Sequence, residues 1–130
     1  MGINNRVIKC NVLSGTNATD SAVEVWPYAQ RGKLVKAYVV PLAGVTASDT
    51  DYITITATIN STTIFTRVTN VAGGAFTANT PEAQTLNTSL TGTKLEVGQG
   101  DAITFAVAKA GTGPAYELNV SLEFELVPGA

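Results

Sequence analysis

The chain has 130 residues, of which 45% are hydrophobic and only 14% are charged, and its formal net charge is −2. This length fits one domain, and the lack of a basic surplus argues against nucleic acid as a partner, because phosphates demand a cationic footprint. No apolar run approaches the length of a membrane span, and Met1 to Cys10 hold no apolar signal-peptide core, so we expect no membrane partner and synthesis in a cytoplasm.

Strict alternation of apolar and polar residues, which is typical of strands with one buried face, dominates the chain. Gly-rich turns separate the alternating segments at fairly regular intervals. This pattern predicts an all-β fold, an antiparallel double-sheet sandwich that is jelly-roll-like with about eight strands. We expect residues 1–130 to form a single β-sandwich domain, with Met1 to Asn5 as a candidate N-terminal arm. In chain order, the predicted strands are Arg6 to Leu13, Ser21 to Tyr28, Gly32 to Leu42, Asp51 to Ile59, Thr62 to Thr69, Gln84 to Leu90, the segment with Ile103, Phe105 and Val107, and Tyr116 to Leu126.

The strand from Gly32 to Leu42 differs from the others, since it carries apolar side chains on both faces. One face can meet the core, and we expect the other to meet a second subunit. The nearby Trp26-Pro27-Tyr28 group has three interpretations that stay open: an interface hot spot, a sugar-stacking platform, or packing in the core or at its rim. The candidate protein-interface residues are Trp26, Tyr28, Leu34, Tyr38 and Val40.

Reactive chemistry is sparse. The chain has no histidine, so the usual base of a nucleophilic triad is missing, and its single cysteine, Cys10, is expected to be a buried free thiol. Asp49 and Asp51 flank a turn, yet a calcium site needs about six oxygens, more than this turn offers. We therefore predict no enzyme activity, no cofactor and no metal site.

Two irregular segments also attract attention. The glycine-rich turn from Gly98 to Asp101 precedes a strand and not a helix, so it is interpreted as a hairpin turn and not as a phosphate loop. The stretch from Val71 to Ala83 is the longest irregular segment. It is either a functional loop or a crossover between sheets.

Two longer stretches carry a family resemblance. GKLVKAYVVPLAGVTASDTDYITIT runs from Gly32 to Thr56, and LTGTKLEVGQGDAITF runs from Leu90 to Phe105. Together with the final alternating strand, they resemble the jelly-roll capsid decoration (cement) proteins and head-fibre domains of tailed bacteriophages. The resemblance implies a homotrimer on the capsid surface of the virion that bridges neighbouring copies of the major capsid protein. It carries over no catalytic residue, and since contact residues vary in that family, it carries over no contact residue either.

Two hypotheses of other classes remain beside this one. A receptor- or carbohydrate-binding module of a head fibre or tail would use Trp26, Tyr28, Phe76 and Tyr116 as stacking surfaces. A carboxylate glycosidase would need two acids roughly 5 to 10 Å apart in a cleft, and the sequence offers glutamates without any sign of a cleft.

Overall fold

The computed structural model describes residues 5–15, 19–87, 90 and 92–127. Within them the chain is all-β, and its two antiparallel sheets confirm the predicted double-sheet sandwich. A short 3-10 helix at Gly92–Leu95 accompanies the strands. The strands are β1 (Asn5–Gly15), β2 (Thr19–Val25), β3 (Gly32–Pro41), β4 (Ile53–Ile59), β5 (Thr62–Val68), β6 (Glu82–Ala83), β7 (Glu96–Val97), β8 (Ala102–Lys109) and β9 (Tyr116–Leu126).

The strand order is that of a jelly roll. Sheet A runs β1-β9-β3-β6 with β7 also paired to β3, and sheet B runs β2-β8-β4-β5. The short strands β6 and β7 pair with different parts of β3, so together they act as one interrupted edge strand. Counted in that way, the sandwich has two four-stranded layers joined by repeated crossings between sheets, which is the jelly-roll arrangement.

The core lies between the sheets and follows directly from the alternation. In β9, Tyr116, Leu118, Val120, Leu122 and Phe124 are buried, whereas Glu117 and Glu125 are exposed. The inward residues of β4 and β8 face them from sheet B, among them Ile55 and Phe105, both 0% exposed. β-branched and aromatic residues suit such a half-buried pleated surface. The local sequence of these strands is therefore enough to predict them.

One predicted strand, Gln84 to Leu90, is wrong, because residues 84–87 and 90 are not in a strand. Residues 84–87 of this segment run between β3 of sheet A and β5 of sheet B. We call the side of the sandwich between these two strands its open side. The amide of Gln84 donates to the carbonyl of Ala37 in sheet A, and the amide of Asn87 donates to the carbonyl of Ile64 in sheet B. These two bonds tie the segment to both sheets and do not place it in the hydrogen-bond ladder of either one, while Leu86 and Leu90 pack on the core.

The turn from Gly98 to Asp101 is also not a hairpin, since β7 belongs to sheet A and β8 to sheet B. The amide of Asp101 donates to the carbonyl of Gly98 at 3.0 Å. Gly100 has a φ of 87°, which a type II turn requires at its third residue. The turn therefore carries the chain from one sheet to the other.

Of the stretch from Val71 to Ala83, the crossover interpretation is confirmed, because it leads from β5 in sheet B to β6 in sheet A. The candidate N-terminal arm falls mainly on residues 1–4, outside the described residues, and Asn5 already begins β1. The side chain of Cys10, expected to be buried, also lies outside the described part.

Candidate interaction surfaces

The sequence-predicted interface residues do not form one surface. Trp26 and Leu34 are 0% and 2% exposed, so both belong to the core and cannot meet a partner. Tyr28 is half-buried beside Trp26. Tyr38 and Val40 are half-buried on the outer face of sheet A, where they lie opposite Ser121 and Asn119 of β9. Sequence alternation alone did not reveal what packs over Trp26 and Leu34, and their burial removes the exposed surface that the interface prediction assumed, while for the other three residues it stays a prediction.

Trp26 is held in the core by a close fit. Its ring lies 4.9 Å from the Phe124 ring and 5.0 Å from the Tyr28 ring, centroid to centroid. Its indole N–H donates to the carbonyl of Gln30 at 3.0 Å. A Cβ added to Gly32 would stand 2.6 Å from the indole ring, so only glycine leaves room there. Of the three interpretations of this aromatic group, core packing is the one that the structure bears out.

The aromatic platform of the carbohydrate hypothesis is not assembled either. Phe76 and Tyr116 are each 4% exposed, and Trp26 is fully buried. Burial raises the pKa of the Tyr116 phenol, and the Asp20 carboxylate adds to the rise. Only Tyr28 keeps partial exposure among these four rings, and it is covered by Arg6, whose guanidinium lies 5.3 Å from the ring centroid.

The acidic side chains of the turns fasten loops to one another. Asp51 accepts hydrogen bonds from the amide and hydroxyl of Thr112 at 3.0 and 2.9 Å. Asp49 accepts one from the amide of Val71 at 2.9 Å. Within the described residues, no three His, Cys, Asp or Glu side chains form a group that could hold a metal ion.

Arg67 of β5 ties the crossover down. Its guanidinium donates to both carboxylate oxygens of Glu82 and to the carbonyl of Gly74 at 3.1 Å, and it lies 4.6 Å from the centroid of Phe76. These hydrogen bonds hold the pKa of the Glu82 carboxyl below its ordinary value, against the opposing effect of burial. Arg67 and Glu82 thereby join the two sheets on their open side, and no local sequence pattern indicates this pair.

The outer face of sheet A is charged with both signs. In β9 it presents Glu117, Glu123 and Glu125, and β3 sets Lys36 opposite Glu123 and Lys33 opposite Glu125. Opposite charges in facing positions stabilise a sheet modestly. The side-chain amide of Asn5 in β1 donates a further hydrogen bond to the Glu123 carboxylate at 2.8 Å.

Among the strand residues that the structure describes, the outer face of sheet B carries no charged side chain. Its residues stand in cross-strand rows set by the register of β2, β8, β4 and β5, and every member is Thr, Ser, Ala or Val. The rows are Val25 and Ala102; Val23, Thr104, Thr58 and Thr63; Ser21, Ala106, Thr56 and Thr66; and Thr19, Ala108, Thr54 and Val68. We call this set the neutral face.

Sequence reasoning missed the neutral face as a unit. It predicted the strand from Asp51 to Ile59, but it could not pair the outward residues of that strand with strands far away in the chain. The usable signal was that four separate strands lack charge at every outward position, which is unusual where about a quarter to a third of surface residues are normally charged.

Two small depressions lie at the margins of these faces and share residues with them. One of about 350 Å³ is lined by Thr63, Phe65, Thr66, Thr85, Leu86 and Asn87, and a second of about 230 Å³ is lined by Lys33, Glu125, Leu126 and Val127. The first has no acidic side chain in its lining and the second has a single one, so neither supplies the carboxylate pair that a glycosidase needs.

The fold and its surfaces define an all-β jelly-roll protein whose distinctive features are two chemically different sheet faces. No protein-family model matches the chain, and no curated protein is significantly similar to it in sequence. In the part of the chain that the structure describes, no helix has the length and apolar character needed to cross a membrane.

Proposed function

We propose that this chain is a bacteriophage virion structural protein, a capsid decoration protein that bridges and stabilises neighbouring major capsid proteins as a homotrimer. The observation that carries the proposal is the contrast between the two outer faces of one sandwich. A bridging protein needs one surface for its own copies and another for its partner. Sheets A and B offer two such surfaces on opposite sides, one charged with both signs and one neutral.

The fold supports this role. The jelly roll that the family resemblance implies is the strand order of this chain. Its sheets bury a continuous core, and Arg67 with Glu82 closes the open side, so both faces are presented by a braced scaffold. Three copies acting together gain avidity without any single tight contact, which suits a protein that binds a repetitive shell.

The alternative of a carbohydrate-binding module has less support, because three of the four aromatic rings it would use are buried. Stacking on a sugar requires an exposed ring face. We expect no binding on a glycan array, and binding that disappears in a Tyr28→Ala variant would restore this alternative.

The proposal is tested by a cryo-electron microscopy reconstruction of the virions whose genome encodes this chain. We expect threefold density of this jelly roll between capsomers on the head. Density at the tail or in a fibre would overturn the decoration role. Native mass spectrometry of the purified chain tests the oligomer separately, and a strict monomer at high concentration would contradict the homotrimer.

A further inference from the structure

The strand β2 has an inverted pattern, and this singles out the neutral face. In most strands of the sandwich apolar residues face the core, but in β2 the exposed Val23 and Val25 face outward, at 63% and 54% exposure. The positions on the core side of the same strand include Asp20 and Glu24, paired with Val107 and Ile103. If β2 were stabilised only by packing on the core of its own chain, we would expect the valines on its inner side and the acidic residues on its outer side. Within the described residues nothing covers these valines, so they are candidates for a contact with another molecule.

From these observations we infer that the neutral face is a surface through which two copies of this chain associate. Because two identical faces packed together are satisfied by a pair of chains, the inference rests on the self-association in the proposed function but adds a contact between copies of neighbouring homotrimers. The contact within a homotrimer lies on other surfaces. The occupant is a second copy, which brings the same Thr, Ala and Val surface.

Charge is the first argument for this occupant. A charged partner would lose water from its ionic groups against the neutral face and would gain no ion pair in return, which is costly. A second neutral face avoids that penalty. Because the side chains are small, two such sheets can approach to the ordinary packing distance of about 10 Å.

The edge strands of sheet B, β2 and β5, are poorly suited to the alternative, in which copies would associate by pairing their edge strands. Charged residues on the inner side of an edge strand hinder pairing with another chain, and Asp20 and Glu24 hold such positions in β2. On the opposite edge, β5 contains an irregularity where Ile64 interrupts the register with β4. Association by the face is therefore favoured over association by an edge.

The area of the neutral face limits how strongly two copies can associate. Four strands spaced about 4.8 Å apart and about seven residues long at about 3.3 Å per residue cover about 450 Å² in plan. Two such faces bury about 900 Å², below the roughly 1,200–2,000 Å² of stable interfaces, so the association is weak and depends on concentration. Copies gathered on a shell would be driven together by their local concentration.

The test is sedimentation velocity of the full chain over about 1 to 500 µM, the range in which interfaces of this size associate. Val23→Glu and Thr56→Glu place a carboxylate at the edge and near the centre of the neutral face. Ser121→Glu is the matched control, because it adds the same charge to the central strand β9 of sheet A. Denaturation curves of each variant establish that it is folded, and Val23 is exposed enough to accept glutamate without loss of fold.

We expect the wild type and Ser121→Glu to associate alike, and both neutral-face variants to need at least about tenfold higher concentration, which is the scale of one buried unpaired charge. If only Ser121→Glu dissociates, or if both folded neutral-face variants associate as the wild type does, the inference is overturned and the homotrimer stands. If the wild type is monomeric throughout, the inference and the homotrimer both fail, while the reconstruction still decides the decoration role.

Discussion

The outer faces of sheets A and B are produced by the same alternation, yet their chemistry differs. Both cover the same core, and both present the outward residues of antiparallel strands. Sheet A places lysines and glutamates there, in facing positions such as Lys36 and Glu123. Sheet B places only Thr, Ser, Ala and Val in its rows. Folding requires only that outward positions tolerate water, so the fold itself does not require this difference between the two faces.

The edge strands β1 of sheet A and β2 of sheet B show the same contrast between a charged and a neutral outer face. In β1, Lys9 lies on the charged face, opposite Ser121. In β2, the charges are on the inner side and the valines are outside. An edge strand can hold Asp20 and Glu24 on its inner side because it reaches solvent at its free flank. The inversion therefore keeps charge off the neutral face without removing it from the strand.

The largest expected effect separates inward from outward positions of β8. Phe105 is 0% exposed, and we expect Phe105→Ala to lower the free energy of unfolding by about 3–5 kcal/mol, since it removes a ring and leaves a cavity. Its neighbour Thr104 lies on the neutral face, and Thr104→Ala should change the free energy by no more than about 0.5 kcal/mol. Chemical denaturation of the monomer measures both. A cost of about 2 kcal/mol or more for Thr104→Ala would mean that the neutral face serves stability, and the comparison between the faces would fail.

A second effect concerns Gly32, at the start of β3. A Cβ there would stand 2.6 Å from the Trp26 ring, so we expect Gly32→Ala to cost about 1–3 kcal/mol through overpacking. Gly44→Ala is the matched control, because its added Cβ would meet only the Phe76 carbonyl at the ordinary distance of 3.5 Å. Since Trp26 is the only tryptophan, its fluorescence during denaturation reports both variants. Equal stability of the two would argue that Trp26 can move towards an outer face and is not fixed in the core.

Much of the fold could be predicted from the sequence. Prediction failed for elements that are too short to show an alternating pattern of their own. The period of two in Tyr116–Leu126 specifies a strand, its buried side and its exposed side without any partner, and the structure reproduces its bounds. The short strands β6 and β7 carry no such period, because each pairs with β3 over only two positions. Two residues are too few to show an alternation.

The surfaces were harder to predict, because they depend on register between distant strands. The neutral face exists only because Val23 stands beside Thr104 and Thr104 beside Thr58. The burial of Trp26 likewise depends on Gly32 and Phe124, which are remote from each other in sequence. Local sequence indicates which side of a strand is apolar, but it does not indicate which other strand completes a surface.

A smaller effect tests whether the two sheets are tied at their open side. The Arg67 guanidinium lowers the pKa of Glu82, so this carboxyl is more acidic in the folded chain than its ordinary value of 4.5. Its stabilising contribution is therefore present above about pH 4.5 and is lost as the pH falls through the lowered folded pKa. Because Glu82 is partly exposed, we expect no more than about 1 kcal/mol.

The measurement is the free energy of unfolding between pH 7 and pH 3, a window chosen around the ordinary carboxyl value. The wild type should lose more stability on acidification than Glu82→Gln, which lacks the titrating group. Glu117→Gln makes the same change of charge on the exposed outer face of sheet A and should follow the wild type. Parallel curves for the wild type and Glu82→Gln would refute the idea that this pair braces the sheets.

The smallest effect distinguishes the faces by their response to salt. Lys36→Glu would set a carboxylate opposite Glu123 on the charged face, and like charges in facing positions cost a few tenths of a kcal/mol up to about 1 kcal/mol. That cost should shrink in about 1 M salt, where screening acts over about 3 Å. Thr58→Glu adds the same residue to the neutral face, opposite Thr104 and Thr63, where no facing charge repels it. At protein concentrations low enough to keep the chain monomeric, its stability should be insensitive to salt. A salt response of equal size in both variants would show that the neutral face lies within reach of charges from elsewhere in the molecule, and the electrostatic contrast between the two faces would then be smaller than their residue composition indicates.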